Sequence, residues 1–131
     1  MRTIKTYHDS NRRAWNQAAA AYRKHMQQTV EFLRKGGASM CPPELSFLNN
    51  LEEWCNSAVH LQCAGGQDTL SLLNLGARNV TGIDISEEMI NIAQEISSQL
   101  NARADWVCCD IFDTPARLNE QPIWSIRAEG R

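Results

Sequence analysis

Three short stretches hold the residues whose types and spacing could do chemistry. They are the small-residue run Ala64-Gly65-Gly66 inside LQCAGGQDTLSLLNLGA, Asp84 closing NVTGID, and Asp110 closing ADWVCCD. Small residues between a strand and a helix let a ligand approach the backbone, and the N–H groups at the helix start point into the space so made. Gly66 is the position best suited to lack a Cβ, while Gln62 and Ala64 stand where a G-x-G-x-x-G turn would place glycines. By itself the loop also fits a plain β–α turn. Asp84 follows Gly66 at roughly the 20-residue interval that lets a strand-end carboxylate accept both ribose hydroxyls of an adenosine ligand. Ser86 is placed to cap the next helix, which leaves Asp84 for that role. Asp110, followed by apolar Ile111, ends a third strand, and the C-terminal ends of parallel strands line one crevice.

The remaining reactive side chains lack a comparable setting. His60, inside the first strand, reads as a satisfied buried histidine rather than a general base; His25 reads as a surface or lid residue, and His8 is uninformative. No Ser/His/Asp or Cys/His arrangement has a motif context for nucleophilic catalysis. Cys41, Cys55, Cys63, Cys108 and Cys109 form no CxxC pair, which argues against zinc and for reduced thiols in a cytoplasmic protein. Cys63, against the loop, reads as a small packing residue.

These residues need elements to hold them. Apolar positions at Trp15, Ala18, Ala19, Tyr22, Met26, Val30 and Leu33 predict one helix over 10–35, stopped by Gly36-Gly37. Pro42-Pro43 opens a second helix, with Leu45, Leu48, Leu51 and Trp54 continuing to about Cys55. SAVHLQC (57–63) predicts a strand, 67–75 a helix stopped by Gly76, and 79–84 a second strand. Ser86 to Leu100 predicts a helix with Glu87 and Glu88 at its positive end. Residues 104–110 predict a third strand, TPARLNEQ a short crossover helix, and PIWSI (122–126) a fourth strand. Strands alternating with helices argue for βαβ units and a parallel sheet.

The 131-residue length is that of a single domain, 1–131. Its parts are N-terminal helices over 1–56, a cofactor-binding βαβαβ over 57–115 and an atypical segment over 116–131. A 43% hydrophobic and 21% charged composition is that of a globular chain rather than a disordered one. With a net charge of −2 and interspersed signs there is no basic face to attract nucleic acid. No apolar run approaches a membrane span, and MRTIKTYHDSNRR contains no secretory apolar core.

The run VHLQCAGGQDTLSLLNLGARNVTGIDISEEMINIAQE followed by ADWVCCD resembles the cofactor half of the class I S-adenosylmethionine-dependent methyltransferases. It is most similar to a bacterial subgroup of small-molecule-type enzymes with an HLQCAGG-like first motif. The resemblance spans about residues 10 to 115 and implies an α/β fold, a partial doubly wound (Rossmann-like) parallel sheet of three to four strands with two N-terminal helices. It implies that Cys63, Ala64, Gly65 and Gly66 lie against the methionine part of S-adenosylmethionine. Asp84 would hold the ribose, Ile85 and Ile111 would sandwich the adenine, and Asp110 would take its amino group. The family has an acidic residue where this chain has His60, and glycines where it has Gln62 and Ala64. NRRAWNQAAAAY resembles a lid helix with Trp15 and Tyr22 facing the site; the apolar stripe reads them as core, and Tyr22, with its hydroxyl, is the better candidate for contact.

After Pro115 the resemblance fades, and NEQPIWSIRAEGR does not continue with the strand and acceptor loop expected next. The expectation is a truncated product whose methyl transfer to an unknown small-molecule acceptor is weak or absent, with catalytic residues unassigned and no metal, nucleic acid or membrane partner. An exposed sheet edge would allow a homodimer. Two other readings stay open: an NAD(P)-dependent Rossmann oxidoreductase fragment, and a non-catalytic interaction or remnant domain.

Overall fold

The computed structural model describes residues 3–48 and 50–110, and the backbone of 124–127. The chain opens with α1 (Ile4–Lys24) and α2 (Met26–Arg34), followed by α3 (Pro42–Phe47) and α4 (Leu51–Trp54). Then come β1 (Ser57–Leu61), α5 (Gln67–Asn74), β2 (Asn79–Asp84), α6 (Glu87–Leu100), β3 (Ala104–Cys108) and β4 (Trp124–Arg127). All three strand pairings are parallel, and the order is β3-β2-β1-β4. The sheet therefore grows one way from β1 to β2 and β3, then reverses to place β4 on the other side of β1. That reversal is the topological switch point at which a doubly wound sheet opens a crevice.

Each of the two expected N-terminal helices is divided. The first breaks at His25, whose φ of −104° and ψ of 11° leave the helical range. Its N–H donates to the carbonyl of Tyr22 at 3.2 Å, tightening the last turn of α1. α1 also begins earlier than the apolar stripe suggests, because the Thr3 side chain accepts from the Thr6 N–H at 3.2 Å and caps it. The second divides at Asn50, in the left-handed region with φ 59°, a conformation that asparagine tolerates better than most residues. β2 lies at its expected bounds. β1 and β3 are shorter than expected, ending at Leu61 and Cys108. The expected crossover helix over 114–121 lies outside the described residues.

Two apolar clusters fix the sheet to its helices. Ala58 of β1 and Val80 of β2 pack with Leu72 of α5 and with Met40, Leu48, Leu51 and Cys55 from the segment before β1. Ala19, Val30 and Leu33 of α1 and α2 pack with Leu70, Met89, Ile92 and Ile96 of α5 and α6, and Trp106 of β3 lies against this cluster. Register places Leu61 beside Ile83 and Asp84 beside Cys108. The three strand ends from which the site is built are thus level with one another. No helix among the described residues is long and apolar enough to cross a membrane.

Candidate functional site

The loop leaves β1 through a run of tight backbone. Gln62, Ala64 and Gly66 have φ of 60°, 49° and 86°, so alternate residues are left-handed and two of them carry a Cβ. The Cys63 N–H donates to the Ile83 carbonyl at 2.9 Å, continuing the sheet ladder into the turn. The Ala64 N–H donates to Asp84 Oδ2 at 2.8 Å. The loop is therefore held by β2 rather than by glycine content. Non-glycine residues in this region cost about 1–2 kcal/mol each, while glycine loses about 0.4–1 kcal/mol more unfolded-state freedom on folding. Ala64→Gly is expected to stabilise the chain by about 0.5–1 kcal/mol, read as a higher urea midpoint at unchanged slope. A lower midpoint would show that the turn is relaxed as it stands.

A cleft of about 570 Å³ opens beside this loop, within the size range of sites that hold small organic ligands. Of the residues singled out from sequence, it brings together Tyr22, Cys63, Ala64, Gly65, Asp84, Ile85 and Asp110, with Trp15 from the same helix as Tyr22. Gly66 does not line it. A Cβ at Gly66 would stand 2.7 Å from Cη2 of Trp106 and 2.9 Å from Cβ of Ala93. The close approach at Gly66 is thus made by the chain's own β3 and α6. Gly65 faces Tyr22 instead, since a Cβ there would lie 3.0 Å from that ring. Ile111 lies outside the described residues.

Asp84 is 6% exposed, and its second oxygen accepts from the Ser86 N–H at 3.0 Å. Ser86 also caps α6, its hydroxyl accepting from the Met89 N–H at 3.1 Å. The cap and the acid therefore share the turn, and Asp84 ties β2, the loop and α6 together rather than standing free. A carboxylate has about four lone-pair directions, so two backbone bonds leave room for ribose hydroxyls. Burial pushes the Asp84 carboxyl above the usual carboxylate range, against the lowering effect of the Ser86, Ala64 and Ile85 N–H groups. Burial also pushes the Cys63 thiol well up, with the Asp84 charge adding to it. That disfavours the thiolate and leaves Cys63 a packing residue.

α1 closes one side of the cleft. His8 Nδ1 pairs with Asp110 Oδ2, so the carboxylate expected to meet an adenine amino group is already engaged by the helix above it. Asn16 Oδ1 accepts from the Ser86 hydroxyl at 2.5 Å, and Arg23 pairs with Glu88 at 2.7 Å. His60 is 3% exposed, with Nδ1 hydrogen-bonded to the Thr69 hydroxyl at 2.6 Å. Sequence reasoning missed His8, Asn11, Gln67, Asp68 and Cys109 as cleft-lining residues. A signal existed for the first two: His8, Asn11, Trp15 and Tyr22 recur on one helical face once the helix is extended to Ile4. Among the described residues, no group of three or more His, Cys, Asp or Glu side chains is placed to hold a metal ion.

A parallel sheet that reverses at β1, with a small-residue turn and two acids around one cleft, is a doubly wound α/β fold with its crevice at the switch point. Comparison with known proteins narrows the class: residues 58–125 match the methyltransferase-domain family model. The chain belongs to that family. An uncharacterized protein of Methanocaldococcus jannaschii is 38% identical over 58 residues, 44% of this chain and 26% of that protein. The fold is similar to that of a Methanococcus maripaludis protein assigned as an S-adenosyl-L-methionine-dependent methyltransferase. The TM-score is 0.56 at 13% identity, covering 88% of this chain and 50% of that one. It is also similar to the bifunctional kinase-methyltransferase WbdD, with a TM-score of 0.54 at 23% identity, covering 70% of this chain and 22% of that one. The chain thus spans a half or less of each of these relatives.

Proposed function

We propose that this chain binds S-adenosylmethionine in the cleft between α1 and the ends of β1, β2 and β3, for methyl transfer to a small-molecule acceptor. The observation that carries this reading is the Asp84 carboxylate, buried at the cleft wall and fixed by the Ala64 and Ser86 N–H groups. A fixed, desolvated acceptor suits a pair of vicinal hydroxyls. When bound, the cofactor supplies an electrophilic methyl group on a sulfonium, so the protein needs no nucleophile of its own.

The chain's part is to bind, orient and exclude water. Asp84 would fix the ribose, and Ile85 would supply apolar surface beside the base. Ala64 and Gly65 would admit the thioether segment, with Tyr22 and Trp15 covering it from α1. Calorimetric titration of the purified chain with S-adenosylhomocysteine and, separately, with NAD tests the reading. Saturable binding of the first and none of the second is expected. NAD binding, or no binding of either, would overturn it.

A further inference from the structure

We propose that Asp68 is the carboxylate that receives the α-ammonium group of the cofactor's methionine moiety, in place of an acid at the end of β1. The proposal rests on the S-adenosylmethionine reading given above. His60, one residue before the end of β1, stands where the resembled family has an acidic residue, and it cannot stand in for that acid. It is buried, and its Nδ1 is committed to Thr69. A neutral or protonated imidazole has at most one acceptor site and no negative charge to offer a cation.

The cleft nevertheless has a carboxylate close to that strand end. Asp68 lies in the first turn of α5, immediately after the loop, and lines the same cleft as Gln62, Ala64 and Gly65. Its Oδ1 accepts from the Ser39 hydroxyl. Ser39 is itself anchored, its N–H donating to the Ser71 hydroxyl at 3.1 Å, and Ser71 donates to the Gln67 carbonyl at 2.7 Å. Asp68 is therefore tied to a hydroxyl from outside its own helix. The other two described carboxylates of the cleft are Asp84, which ends β2, and Asp110, just after β3; in the reading given above they face the nucleoside. An amino-acid end lying against the Ala64–Gly65 turn thus meets Asp68 as its nearest anionic group along the chain, and a carboxylate–ammonium bond is of the stronger, charge-assisted kind.

The competing role is structural: an acid in a helical first turn also suits the helix dipole. Two ligands separate the roles. S-adenosylhomocysteine has the amino-acid end, and 5′-methylthioadenosine has the same nucleoside and thioether without it. In the full chain, Asp68→Asn is expected to weaken S-adenosylhomocysteine by about tenfold or more while methylthioadenosine affinity stays within about twofold. Unchanged S-adenosylhomocysteine affinity, or an equal loss for both ligands, would overturn the assignment. If Asp68→Asn does not fold, Ser39→Ala decides: a loss confined to S-adenosylhomocysteine supports the role, and any other result removes it. A wild-type chain that binds neither ligand removes the cofactor reading and this assignment with it. Wild-type binding of both ligands with no selective loss in the variants removes the Asp68 assignment alone.

Discussion

Gly66→Ala is expected to destabilise the chain by about 3 kcal/mol, without any ligand being involved. Two effects add. The φ of 86° is left-handed, which costs a residue with a Cβ about 1–2 kcal/mol. The new methyl would also stand 2.7 Å from Trp106 and 2.9 Å from Ala93, an overpacking of the kind that costs about 1–3 kcal/mol. Trp106 has little freedom to yield, since its Nε1 donates to the Ser97 hydroxyl at 2.9 Å and its ring also lies over Gly82. Chemical denaturation measures the loss. Combining Gly66→Ala with Trp106→Leu is expected to recover part of it, because the two sites share one contact. A single variant within about 0.5 kcal/mol of wild type would show that α6 and β3 move aside freely.

The second large effect falls on Asp84. Asp84→Ala is expected to weaken nucleoside binding by about 1.5–3 kcal/mol, the worth of hydrogen bonds to a charged group. Because the carboxylate also accepts from Ala64 and Ser86, the same change leaves two N–H groups short of a partner. A stability loss of about 1–3 kcal/mol is therefore expected alongside. Asp84→Asn keeps the shape and isolates the charge. Acidity should act on the wild-type chain in two opposite senses. The ionised form accepts the ribose hydroxyls, so affinity is full above the raised Asp84 value and falls as pH drops through it. The unliganded fold holds that proton more tightly than the unfolded chain does. Asp84's contribution to stability is therefore greatest at low pH and declines as pH rises from the ordinary aspartate range to the raised value. A nucleoside affinity equal to wild type in Asp84→Asn, with no pH dependence in either chain, would remove Asp84 from the site.

Most of the α/β core was legible because its signals are local. The Ser86 cap, the stop at Gly76 and the alternation of short strands with amphipathic helices gave β2 at its true bounds and α5 and α6 within a residue. The breaks at His25 and Asn50 were not legible. The apolar stripe runs in phase from Tyr22 through Met26 to Val30, so nothing in periodicity records that the backbone turns there. The position of Asp84 at the end of β2 was legible because one element fixes it. Contacts were hidden where two distant segments meet. His8 meets Asp110, and Asp68 meets the Ser39 hydroxyl, only in the fold. Gly66 was read for the right property, the absence of a Cβ, but the neighbour requiring it is Trp106, a contact that spacing along the chain does not encode.

The division at His25 has a kinetic consequence. α2 is part of the core through Val30 and Leu33, and α1 joins it through buried Ala19 with Trp15 and Ala18 packed alongside, adding side-chain pairs such as Asn16–Ser86, Arg23–Glu88 and His8–Asp110. α1 contributes one fully buried side chain and α2 two, so α1 is expected to open more readily than α2. The break at His25 lets the two helices open as separate units. Hydrogen exchange is expected to record the difference as two rates on either side of one residue.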